Sequence, residues 1–216
     1  MQPTSHPRIK ICCISSPSEA QLAISHGASA LVSDMPSGPG IISEQQIAGI
    51  TTTIPPAVSS FLLTCLQDPD AIIDQQQRCR TNTIQICDSL PLNGYKKMRN
   101  ELPGIKIVQV IHVNGPESID EAVLVSQQVD AILLDSGNQL LPMKELGGTG
   151  RVHDWTISRQ IREAVDVPIF LAGGINADNV GEAIRQVGPF GIDLCSSVRT
   201  NGMLDKVKLT RFFGSL

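Results

Sequence analysis

The chain has 216 residues, and with 41% hydrophobic but only 3% aromatic residues its core must be filled by Val, Ile, Leu and Ala. A formal net charge of −4, a pI of about 5.5 and the lack of a basic run exclude a general nucleic-acid binder. No stretch approaches the ~20 apolar residues that span a bilayer.

Short β-branched runs alternate along the chain with segments of helical periodicity. Residues 1–7 are polar and proline-containing, and read as an N-terminal extension rather than a signal sequence. A first strand is expected over 8–12. Ser16-Pro17-Ser18-Glu19 then opens a helix with a capping box and a proline at its first position, stopping near Gly27. A second strand over 30–33 leads through the loop Pro36-Ser37-Gly38-Pro39-Gly40 to a second capping box, Ser43-Glu44-Gln45-Gln46. A third strand is expected over 57–62, followed by an Asp68-Pro69 cap. Residues 83–86 make a weaker fourth strand, with a helix around 95–101. A fifth strand over 106–111 precedes a helix over 117–127. A sixth over 131–135 leads through a long loop to a helix over 155–164 capped by Asp154. Strands over 167–172 and 191–194 and helices over 179–186 and 203–213 complete the series. Eight strand–helix units without a composition shift predict one α/β domain over 8–216, a (β/α)8 TIM barrel. A doubly wound open sheet is the alternative.

Six cysteines stand at positions 12, 13, 65, 79, 87 and 195, with no C-x-x-C pair and no zinc spacing. The four histidines are dispersed as well, so neither a metal nor any other cofactor is expected. Reduced, partly buried cysteines fit a cytoplasmic protein.

In a parallel barrel the strand ends and the loops after them build the reactive face. If Ile9 and Ile11 face the helices, alternation sends Lys10 and Cys12 inward, with Cys12 at the rim. The same phase argument, with Ile132 and Leu134 outward, points Asp135 into the mouth. A thiol and a carboxyl on one pocket suit base and acid work on one substrate. The plainer readings are a packing cysteine and a loop or capping carboxylate. Lys10 either favours a thiolate at Cys12 or is a structural ion-pair partner. Cys13, as the next strand residue, is expected to face away from Cys12. Three groups of small residues follow the late strands: Gly147-Gly148-Thr149-Gly150, Ala172-Gly173-Gly174 and Cys195-Ser196-Ser197. Such loops bring amides and hydroxyls close to an anion, and those after the seventh and eighth strands are the usual phosphate cradle of a barrel. Tight turns are the structural alternative.

These residues resemble the phosphoribosylanthranilate isomerase family over nearly the whole chain, 8–213. The matching words are Lys10-Ile11-Cys12, Asp130-Ala131-Ile132-Leu133-Leu134-Asp135, Gly147-Gly148-Thr149-Gly150 and Asp154-Trp155. Leu171-Ala172-Gly173-Gly174-Ile175, Asn179-Val180, Gly191-Ile192-Asp193-Leu194 and Ser196 complete them. The resemblance implies an Amadori rearrangement of N-(5-phosphoribosyl)anthranilate, or a related phosphorylated aminosugar, in tryptophan biosynthesis. It makes Asp135 the general acid and Cys12 the general base, with no cofactor. It assigns the phosphate to Gly148, Thr149, Gly173, Gly174, Ser196 and Ser197. A homodimer with a small phosphorylated sugar-like substrate, and no nucleic-acid or membrane partner, completes the expectation.

Departures fall mostly on aromatic-acid recognition. The family's Ser-Pro-Arg word after the second strand is replaced by Met35-Pro36-Ser37-Gly38-Pro39-Gly40, which lacks the carboxylate-binding arginine. The fourth strand reads Ile84-Gln85-Ile86-Cys87-Asp88, without the family histidine. The glycine after Cys12 is Cys13, the serine-glycine pair is Ser196-Ser197, and a usual glutamate is Arg199. Arg151 and Arg199 are the candidates to replace the missing positive charge. The competing function is a non-catalytic phosphate-ligand-binding or assembly protein that has lost anthranilate recognition.

Overall fold

The period-two runs become the strands β1 (Arg8–Ile11), β2 (Ala30–Ser33), β3 (Ser59–Thr64), β4 (Thr83–Ile86), β5 (Lys106–His112), β6 (Ala131–Asp135), β7 (Ile169–Leu171) and β8 (Gly191–Leu194). They pair in parallel in sequence order, and β8 closes on β1 through Ile9↔Ile192 and Ile11↔Leu194. This is the expected (β/α)8 barrel. The computed structural model describes residues 6–33, 42–137 and 150–216, with the side chains of 31–33 excepted. The helices between the strands are α1 (Pro17–Ser25), α2 (Glu44–Thr51), α3 (Pro69–Cys79), α4 (Leu92–Glu101), α5 (Glu117–Ser126), α6 (Trp155–Ala164) and α7 (Val180–Val187). A closing helix, α8 (Lys206–Phe213), follows β8.

Local chemistry accounts for most of the boundaries. Ser43 and Gln46 form the full reciprocal capping box, while Asp68 and Asp154 cap α3 and α6 by accepting from Asp70 N and Thr156 N. Ser16 accepts from Glu19 N as expected, but Glu19 does not return the bond to the cap. Its carboxylate accepts instead from the backbone and hydroxyl of Ser15, both at 3.0 Å, and from partners beyond β8. The third strand begins two residues later than expected, because Ala57 is left-handed at φ 73° and no strand passes through that conformation. The last helix is shorter than the expected 203–213. Arg199–Thr200 (β9) pairs antiparallel with Met203–Leu204 (β10) across Asn201-Gly202, both at positive φ, which is the signature of a two-residue hairpin turn. Asp205 then caps α8.

Alternation along the strands divides the core in two. Ile9, Ile11, Ile132 and Leu134 belong to the layer between barrel and helices. Cys12, Phe61, Val108, Val110, Ala131, Leu133 and Phe170 fill the interior. Inside, the fully buried Lys10 pairs with Asp193 at 2.7 Å and lies 5.3 Å from the centre of the Phe61 ring. Phe170 stands edge-to-face with Phe61 and Phe190, at 6.2 and 5.5 Å. Only glycine leaves room beneath that ring, since a Cβ on Gly191 would come within 2.5 Å of Phe170. Gly191→Ala is therefore expected to lower stability by about 1–3 kcal/mol, the usual cost of overpacking a filled core. A denaturation midpoint equal to that of the wild type would contradict it.

Candidate active site

The end of β1 and the end of β8 meet at the mouth. Cys12 N donates to Leu194 O at 2.7 Å, which draws the first turn beyond β1 over the tip of β8. Cys12 is buried and belongs to the interior cluster, as its strand phase predicts. Cys13 does not face away. β1 stops at Ile11, and Cys13 lies in the left-handed region at φ 62°, so the period-two rule no longer applies to it. Its Sγ lies 3.5 Å from Cys12 Sγ and 3.2 Å from Cys195 Sγ. This conformation costs a non-glycine residue about 1–2 kcal/mol. Cys13→Gly is expected to recover roughly 1 kcal/mol of that strain, read as a higher urea midpoint; an unchanged or lower midpoint would show that thiol packing outweighs it.

The three thiols are pulled in different directions. Hydrogen bonding with Cys12 and Cys13, aided by the Arg199 cation, draws Cys195 down to about 4 against the opposing effect of burial. Cys12 is held at about 11: the Cys13 thiol and Lys10 draw it down, but Cys195 and burial push it up by more. Cys13 is pushed up by its hydrogen bonds to Cys12 and Cys195 and by burial.

Lys10 is the ion-pair partner of Asp193; it also draws the Cys12 thiol down, but less than Cys195 and burial push it up. Burial pushes Asp193 up to about 7 although Lys10 pulls it down, and both Cys12 and Asp135 raise it further. Asp193 thus feels the proposed base and the proposed acid together.

Asp135 ends β6 as expected and is buried. Its Oδ1 accepts from Ser136 N at 2.7 Å, which fixes the carboxylate against its own loop. Beside it in the sheet register is His112, a rim residue that the fifth strand's expected end at 111 leaves out. Val108 and Val110 are interior, so continuing the same alternation one step would have found it. His112 Nε2 lies 3.1 Å from Cys87 O, which assigns the ring proton to that nitrogen. Its Nδ1 is buried with no hydrogen-bond partner among the described residues. His153, on the loop before α6, contacts Ser158 Oγ at 2.7 Å, and burial lowers it to about 4 although Asp135 acts to raise it.

The late loops hold the remaining candidates. Gly173 and Gly174 follow β7 at φ 80° and 65°. A Cβ on Gly173 would come within 2.9 Å of Ser136 Oγ, and one on Gly174 within 2.8 Å of Arg151 C. These glycines therefore let the backbone at Arg151 close over β7, which also satisfies the tight-turn reading. Ser196 is exposed and opens a 3-10 turn (Ser196–Val198), while Ser197 Oγ is buried without a partner among the described residues. Gly148 and Thr149, with Gly147, lie outside the described residues, as does the segment 35–40.

Arg199 is not the substrate-carboxylate residue that the sequence suggests. It is buried, with Nη1 donating to Glu19 Oε1 at 3.0 Å and to Gly202 O at 2.9 Å. Nη2 donates to the carbonyls of Cys12 at 2.9 Å and Cys13 at 2.6 Å. The guanidinium is spent on holding the turn that carries the thiols. Arg151, exposed and packed by its backbone against Gly173 and Gly174, keeps its place as a candidate.

A closed parallel barrel with a thiol, a carboxyl and an imidazole on the C-terminal rim belongs to the class of (β/α)8 enzymes. The family model described as N-(5'phosphoribosyl)anthranilate (PRA) isomerase matches residues 9–215, and the chain belongs to that family. It is 32% identical over 208 residues to the N-(5'-phosphoribosyl)anthranilate isomerase of Methanocella arvoryzae, covering 95% of each chain. With isomerase 2 of Methanosarcina mazei the identity is 34% over 209 residues, covering 95% of this chain and 92% of the relative. The crystal structure of phosphoribosyl anthranilate isomerase from Thermotoga maritima superposes with a TM-score of 0.82 at 25% identity, over 97% of this chain and 98% of that one.

Proposed function

We propose that the protein is an aldose–ketose isomerase that converts N-(5'-phosphoribosyl)anthranilate to its open-chain ketose in tryptophan biosynthesis. The observation that carries this reading is the placement of Cys12 and Asp135 on the inner rim of one barrel. Asp135 gives a proton to the furanose ring oxygen, the C1–O bond breaks, and the nitrogen lone pair forms a protonated imine. That cation acidifies the C2 hydrogen, and Cys12 removes it; the C–H electrons form the enolamine, which tautomerises to the ketone. The imine nitrogen is the electron sink, so the atoms balance without an oxidant or reductant. Cys12 acts as the base in its thiolate form, which the nearby Lys10 ammonium favours.

Ser197, Ser196 and the amides of Gly173 and Gly174, with Gly148 and Thr149, are the proposed phosphate ligands, which position the reacting carbon by binding energy spent away from it. The unpartnered Ser197 hydroxyl suits an anion acceptor. Arg151 is the proposed partner of the anthranilate carboxylate. A homodimer in the cytoplasm completes the reading; the phosphoribosylanthranilate isomerase of Thermotoga maritima is described as dimeric in a solved structure of monomers generated from it.

A further solved relative holds reduced 1-(o-carboxyphenylamino)-1-deoxyribulose 5-phosphate. Calorimetric titration with that compound tests the substrate assignment. Binding that weakens in Ser197→Ala, and is competed by inorganic phosphate, is expected; no binding would point to another aminosugar phosphate or to the non-catalytic role.

A further inference from the structure

The positions of the cysteines along the chain carry no metal pattern, yet the fold gathers three of them at one mouth, from the turns after the first and last strands. Cys12, Cys13 and Cys195 place their Sγ atoms within 4.8 Å of one another, with two of the separations at 3.5 and 3.2 Å. A tetrahedral cation with metal–sulfur bonds of about 2.3 Å needs sulfurs roughly 3.8 Å apart, so small side-chain rotations would complete the geometry. We propose that these three thiols form a binding site for a thiophilic d10 cation of the zinc class, with its fourth position open toward the barrel mouth.

Two features besides proximity support the site. Cys13 adopts a left-handed backbone in which a glycine would be unstrained, and that conformation turns its thiol toward the other two. Secondly, the turn that carries two of the thiols is fixed: the buried Arg199 guanidinium donates to the carbonyls of both Cys12 and Cys13, so the ligands are held in place before a cation arrives. A divalent cation on three thiolates carries one net negative charge, and thiols that bind release their protons to solvent.

Occupancy of the site has a functional consequence, which rests on the proposed isomerase reading. A metal-bound Cys12 thiolate donates its charge to the cation and is a much weaker base than the free thiolate, so the cation is a reversible inhibitor acting on the base itself. Thiophilic metal stress would then reach the isomerase directly.

Cadmium tests binding without reference to catalysis. Reduced, chelator-treated protein titrated with Cd²⁺ is expected to develop a thiolate-to-metal charge-transfer absorption that saturates at one equivalent. The absorption should be lost in Cys195→Ser and in Cys13→Gly, with circular dichroism verifying that both variants are folded. No such absorption in the wild type would overturn the site, and so would an undiminished one in the Cys13→Gly, Cys195→Ser double variant, which would assign the metal to Cys65, Cys79 or Cys87. In the isomerase assay, saturating Cd²⁺ is expected to abolish turnover, with recovery on adding chelator. Full turnover with the absorption present would overturn the part played by Cys12. A wild-type protein that binds Cd²⁺ but never turns over would leave the metal site standing and reject the isomerase reading alone.

Discussion

Cys12→Ser and Asp135→Asn each lower kcat for phosphoribosylanthranilate by roughly 10²–10⁴-fold, the range for removing a positioned general acid or base. Both substitutions keep the size of the side chain, so the substrate should still bind and KM should change much less than kcat. The double variant should lie near the worse single variant, because an acid and a base serving one rearrangement are not additive. Cys12 and Asp135 enter the mouth from the ends of β1 and β6. The proposed chemistry requires this arrangement, since ring opening and C–H removal occur on neighbouring carbons. If either variant kept its rate within tenfold of the wild type, that residue would lose its assigned role.

The second large effect concerns stability. Glu19 and Arg199 form an ion pair at 3.0 Å with side-chain exposures of only 5% and 4%. The Glu19 carboxylate also accepts from Leu204 N at 2.8 Å, and Arg199 holds the carbonyls of the thiol-bearing turn. Removing one partner of a buried pair strands the other, at a cost of about 3–5 kcal/mol. Arg199→Met and Glu19→Gln should both show a loss on that scale in urea denaturation. Arg199→Met should also loosen the turn and raise the reactivity of Cys13 toward a thiol reagent. Burial alone would raise the Glu19 pKa, but the bonds from Ser15, Leu204 and Arg199 lower it overall. A carboxyl depressed in the folded state contributes stability above its unfolded value of about 4.3, and that contribution is lost as pH falls through the folded value. The acid limb of the stability curve should therefore flatten in Glu19→Gln. An unaltered acid limb and an unaltered urea midpoint would contradict the account of this pair.

Much of the barrel was legible because its strands obey a period of two and its helices announce themselves at their caps. Asp68, Asp154 and the Ser43/Gln46 box each start a helix where the sequence places it. The inward phase of Lys10, Cys12 and Asp135 follows from the outward Ile9, Ile11 and Leu134 beside them. Legibility ended where one residue leaves the regular backbone. Cys13 reverses its expected direction through a single left-handed φ, and Ala57 delays a strand in the same way. It also ended where the decisive partner is distant in sequence. Arg199 reads as a spare cation until the fold brings Glu19 to it across 180 positions. The hairpin before α8 was signalled by Asn201-Gly202, but the helical periodicity running on from Met203 masked it. His112 was missed through a strand boundary set one residue short.

The central claim is most directly tested by incubating the purified wild-type protein with freshly prepared N-(5'-phosphoribosyl)anthranilate and following its conversion to the ketose. Saturable turnover above the uncatalysed rate is the predicted result, and it would also show that the residues standing where the family arginine is missing still accept the aromatic acid. A folded protein that binds phosphate esters but leaves the substrate unconverted would contradict the claim and favour a non-catalytic member of the family.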